Sequence, residues 1–122
     1  MQWLEHSAFT KEVKQLAKKY KSANNAVKFA KRLIEKWRDD PNDSPIDPGK
    51  IHLVTQNDEY EIWKYEMAVP NSGLRPNQWP RVWFAIEKDT LALLLLAVHT
   101  DNYDDNTKNN EASQRYEELR GK

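Results

Sequence analysis

The unbroken apolar run Leu91–Val98 constrains this chain more than any other stretch of it. It falls far short of the ~20 residues that a membrane-spanning helix needs. An apolar segment of this length, bounded by the turn residues Lys88–Asp89–Thr90 and by the polar His99, predicts a strand buried on both faces, near the centre of a sheet. The rest of the chain must then supply further strands and the helices that cover them.

Helical periodicity dominates the first third. Residues 1–6 are compatible with a short opening strand, and Ser7 is a candidate N-cap. Phe9, Val13, Leu16, Ala17 and Tyr20 share one face of a first helix, with Lys11, Lys14, Lys18 and Lys19 mostly opposite. A second helix follows Ser22 and carries Val27, Ala30, Leu33, Ile34 and Trp37 as its buried stripe. The short link at Lys21–Asn24 implies an antiparallel helical hairpin.

The segment Asp39–Lys50 holds three prolines and four aspartates, which neither a helix interior nor a central strand accepts. Beyond it the period changes to two. Strands are expected at Lys50–Thr55, Tyr60–Val69, Arg81–Glu87 and Leu91–His99. Within Tyr60–Val69 the apolar positions shift from Tyr60 and Ile62 to Trp63, Tyr65 and Met67, which implies a bulge or burial on both faces. Pro70–Pro80 is a long loop of the kind that often carries function. Asp101–Asn110 is expected as a polar loop and Glu111–Arg120 as a terminal helix stopped by Gly121. The order β–α–α–β–β–β–β–α predicts an α+β domain, with helices packed on one face of a twisted antiparallel sheet of four to five strands.

With 122 residues the chain is one domain long. It contains no cysteine, which removes disulfides, thiol nucleophiles and cysteine zinc sites together. The opening residues lack the apolar core of a secretory signal, so a cytoplasmic location is expected. Net charge is zero but unevenly spread: residues 1–40 carry ten Lys or Arg against five Asp or Glu. That excess belongs to the helical hairpin, where a basic face can track phosphates or simply be a solvated surface.

Three marks in this order resemble the RelE/ParE superfamily of toxins from type II toxin–antitoxin pairs. The first is the helix Phe9-Thr-Lys-Glu-Val-Lys-Gln-Leu-Ala-Lys-Lys-Tyr20 after a short strand. The second is Ile62-Trp-Lys-Tyr65 followed by a loop and Arg81-Val-Trp-Phe84. The third is the apolar strand leading into Val98-His-Thr-Asp-Asn-Tyr103. The resemblance implies a RelE-like fold, a small cognate antitoxin as partner, and one of two activities. One is ribosome-dependent cleavage of mRNA by a metal-independent endoribonuclease with no cofactor. The other is non-enzymatic binding of DNA gyrase, or a decayed toxin that only binds. Where such chains commonly carry Arg two residues after the Lys of the second mark, this one has Glu66, and Thr100 and Asp101 stand where a Lys is usual. A small interaction domain with no toxic role is the third possibility.

Cleavage of this kind uses the ribose 2′-hydroxyl as nucleophile. The protein must position the strand, move two protons and neutralise the phosphorane-like transition state. Arg81, opening a strand after the long loop, is suited to clamp a phosphate. Lys64 lies mid-strand among aromatics, His99 brings a titratable imidazole to a strand end, and Tyr103 can stack or donate. These four are the catalytic candidates, with Lys50, His52 and Arg75 as RNA contacts from the flanking strand and loop. His6, His52 and His99 are too widely spaced for a zinc motif, and no phosphate-cradling glycine loop or nucleophile elbow is present.

Overall fold

The computed structural model describes residues 2–98 and 103–121. The elements are β1 (Gln2–Glu5), α1 (Ser7–Lys19), α2 (Ala23–Asp39), β2 (Ile51–Gln56), β3 (Glu61–Glu66), β4 (Arg81–Glu87), β5 (Thr90–Ala97) and α3 (Asp105–Arg120). Single 3₁₀ turns at Pro41–Asp43, Pro48–Lys50 and Pro76–Gln78 punctuate the two proline-rich connections. The α+β class, the helical hairpin and the element order are as the sequence implies. No helix among the described residues is long and apolar enough to cross a membrane.

The five strands form one sheet in the order β1-β5-β4-β3-β2. The β2–β5 pairs are antiparallel, and β1 joins the far edge parallel to β5. The hairpin β4–β5 closes through Lys88 and Asp89, with Lys88 in the left-handed region at φ 54°.

Each face of the sheet carries its own cover. Phe9, Val13 and Leu16 of α1 and Ala26, Val27, Ala30 and Ile34 of α2 pack on Tyr65, Val82, Phe84, Leu91, Leu93 and Leu96. On the other face Ala112 and Tyr116 of α3 pack on Ile62, Trp83, Ala85, Ala92, Leu94 and Leu95. The hairpin thus covers one face as expected, while α3 lies across the opposite one. This two-sided cover explains the mixed periodicity of β3: Trp63 and Tyr65 join the hairpin side, Tyr60 and Ile62 the α3 side. The ladder irregularities fall in other strands, at Val54 of β2 and Leu94 of β5. The extra residue at Leu94 turns Leu94 and Leu95 toward the same face, so a run of four leucines feeds both cores.

β2 is shifted by one residue from expectation and β5 runs from Thr90 to Ala97, and three further boundaries differ, each for a local reason. His6, not Ser7, caps α1: its Nδ1 accepts the Ala8 amide at 3.0 Å, and its Nε2 donates to Glu118 at 2.7 Å. β3 leaves the ladder after Glu66, although Met67 still donates one bond to the Pro80 carbonyl. Residues Asp105–Asn110, expected as loop, are the first turns of α3. Their intrinsic propensity is low, but Asp104 accepts from the Thr107 amide at 3.0 Å and Asn109 accepts from the buried Trp83 indole at 2.8 Å.

α3 has a weakly apolar inner face and is held largely by polar bonds. Arg115 reaches Glu12 of α1 through two bonds of 2.9 and 3.0 Å and also donates to the Leu94 carbonyl. Glu12 in turn accepts the Leu96 amide. At the other end Tyr116 donates to Glu87 at 2.6 Å, and Arg120 donates to Glu87 at 2.9 Å. The bond from Tyr116, then that from Arg120, hold the Glu87 carboxyl below its ordinary pKa. A carboxyl depressed on folding stabilises above its unfolded pKa of about 4.3 and loses that contribution as pH falls through its folded value. Glu87→Gln is therefore expected to flatten the decline of stability between about pH 5 and pH 3, measured by urea unfolding across that range. An unchanged acid limb would remove Glu87 from this role.

Candidate functional site

Alternation along β3 puts Ile62, Lys64 and Glu66 on the α3 side of the sheet, and the register carries that face across three strands. His52 pairs with Lys64, Lys64 with Trp83, and Glu66 with Arg81. α3 crosses this face from Lys64 toward Glu87, so the Glu66 end extends past its first turn. Arg81 is also paired with Ala97, which places the end of β5 beside it.

Glu66 is the centre of the cluster, with its side chain only 15% exposed. Lys50 Nζ and His52 Nε2 each stand 3.7 Å from its carboxylate, and Arg81 Nη2 stands 3.8 Å away. These separations bring strong charge attraction without a direct hydrogen bond. The carboxylate thus keeps hydrogen-bonding capacity toward an incoming hydroxyl, while two cations and an imidazole surround the place where a phosphate would lie.

The surrounding contacts fix the cations. Arg81 Nη1 donates to the Trp79 carbonyl at 2.5 Å, so the long loop aims its guanidinium. Lys50 lies 5.6 Å from the Trp79 ring centre. Lys64 lies 5.7 Å from the Trp83 ring centre and 3.9 Å from Asp105 at the start of α3. Tyr103 packs its ring edge-on to Trp83 at 6.0 Å. Stacked lysines and edge-on rings of this kind combine charge with apolar contact, as nucleic-acid surfaces do.

Of the residues singled out from the sequence, Lys50, His52, Lys64, Arg81 and Tyr103 come together on this one face. Arg75 does not join them: it is the exposed residue before the Pro76–Gln78 turn, where its amide donates to Gln78. His99 lies outside the described residues. Sequence reasoning missed two members, Glu66 and Trp79. Glu66 registered there only as a lost positive charge, yet its spacing of two from Lys64 already set both on one face. Trp79 carried no signal beyond its place in the long loop.

An apolar cleft of about 390 Å³ lies elsewhere. It opens between α1, the long loop and the end of β5, lined by Leu16, Tyr20, Leu74, Pro80, Leu96 and Val98 among others. None of the described candidate residues lines it. No protein-family model, curated protein or solved structure matches this chain.

Proposed function

We propose that this protein is a RelE-like toxin that cleaves messenger RNA on the ribosome in the bacterial cytoplasm, silenced by a small antitoxin. The observation that carries this is Glu66 standing 3.7–3.8 Å from Lys50, His52 and Arg81 on an open sheet face. A carboxylate beside two fixed cations and an imidazole offers the base, the acid and the charge neutralisation that attack by a 2′-hydroxyl uses. Glu66 takes the proton from the 2′-hydroxyl, and the resulting alkoxide attacks the adjacent phosphorus. The bond to the 5′-oxygen breaks, leaving a 2′,3′-cyclic phosphate, and a protonated imidazole returns a proton to the leaving oxygen. His52 stands within reach of that exchange. Arg81 and Lys50 hold the non-bridging oxygens as their charge rises, and Lys64 tracks the strand.

Tightly controlled expression in a bacterial host tests this, with message integrity and plasmid supercoiling followed together. Growth arrest with cut messages is the expected result. Arrest with altered supercoiling and intact messages would assign the chain to gyrase binding instead, and absence of arrest would remove both toxin activities.

A further inference from the structure

Opposite the cationic cluster, on the far side of the sheet, the outer face of the helical hairpin carries a second concentration of positive charge. α1 and α2 turn their apolar stripes to the sheet. Their solvent faces therefore present Lys11, Lys14 and Lys18 on α1, and Lys28, Arg32 and Lys36 on α2, all exposed. None of the six forms an ion pair among the described residues. Two of the hairpin's three acids are engaged elsewhere, Glu12 with Arg115 and Glu35 with the Trp3 indole, and the third, Asp39, is the last residue of α2.

On α2 the cations recur every fourth residue, so they stand about 6 Å apart along the axis. To one side of this row stands Phe29, 56% exposed, one of two large apolar side chains left so open among the described residues. A ladder of unneutralised charge suits a regular polyphosphate. A single ring projecting beside the ladder suits a surface shallow enough to receive it. The wide, shallow minor groove of A-form RNA offers that, with sugars for the ring and phosphate rows on either side.

We propose that the outer face of α1–α2 is a docking surface for double-helical RNA, separate from the cleavage face. The choice of RNA over DNA rests on the activity proposed above. The protein then grips two nucleic acids at once, a structured RNA behind the sheet and a single strand in front of it.

The test uses the full chain and a non-cleavable 20-base-pair RNA duplex, titrated by fluorescence anisotropy at several salt concentrations. Replacing Lys28, Arg32 and Lys36 together by Gln is expected to weaken binding at least tenfold. Each phosphate left unneutralised lowers the log–log salt slope by up to about 0.9, so the slope should fall by about 2 to 3. Phe29→Ser should weaken binding several-fold with the slope unchanged. Arg81→Ala should leave duplex binding as it was while lowering message cleavage; that pair of readouts separates failure of docking from failure of the nuclease. Unchanged binding in the triple variant overturns the proposal, as does equal loss in Arg81→Ala. Tighter binding to a DNA duplex, or to phosphatidylglycerol vesicles, assigns the face to another partner and also overturns it.

Discussion

Arg81→Ala is expected to lower message cleavage about 10²–10³-fold, the usual cost of removing one donor aimed at developing transition-state charge. The melting temperature should hardly move, because Arg81 sits at a strand end and contributes no side chain to either core. Its guanidinium is aimed by the Trp79 carbonyl and faces Glu66 across the β3–β4 ladder. Arg81→Lys should recover only part of the activity, since an ammonium cannot make the two parallel bonds of a planar fork. The companion change Glu66→Gln separates two roles for the central carboxylate. As general base its loss costs about 10²–10⁴ in rate, while RNA binding tightens because a negative charge has left the ring of cations. Rates are read in a purified translation system. Cleavage within twofold of the parent in Arg81→Ala would remove this face from the chemistry, and faster cleavage in Glu66→Gln would make the carboxylate a counter-charge only.

Trp83→Ala should be the most damaging core substitution, costing about 3–5 kcal/mol. Trp83 is fully buried and stands where three groups meet: Asn109 of α3, the Tyr103 ring and the Lys64 ammonium. For a domain of this size, that loss corresponds to a fall of roughly 12–20 °C in melting temperature. It also takes a large part of a total stability that is typically only about 5–15 kcal/mol. Trp83→Phe keeps most of the apolar contact but orphans Asn109, so it should lie between the two. Thermal unfolding followed by circular dichroism gives both values. A loss below 1 kcal/mol in Trp83→Ala would mean that α3 is not anchored through this residue.

Much of this was legible in the residues themselves. The helical hairpin followed from a clean 3.6-residue period, and the buried β5 from a run of apolar residues with no polar interruption. What resisted was whatever depended on contacts far along the chain. The first turns of α3 contain Asn106, Thr107, Asn109 and Asn110, which local propensity assigns to a loop. They become helical because Asp104 caps them and Trp83 receives Asn109. The side of the sheet that α3 covers was equally hidden, since Ala112 and Tyr116 give it only a thin apolar stripe. For the site, residue type picked out Arg81, Lys50, His52 and Lys64, and the register brought them together. Glu66 was passed over because a carboxylate among expected cations looks like a loss until its neighbours are seen in space.

The bonds that Glu12 and Arg115 make to β5 bear on how the chain is made as well as on how it stands. β1 pairs only with Thr90–Leu93, and beyond that point the outward amide of Leu96 and carbonyl of Leu94 are closed by those two side chains. One comes from near the start of the chain and the other from near its end. During synthesis the leucine-rich strand therefore emerges with its flank open, able to zip onto any other extended chain nearby. It is shut only when α3 arrives and Arg115 meets Glu12. The last helix acts as a latch, and the interval before it closes is when this protein is most exposed to sticking to copies of itself.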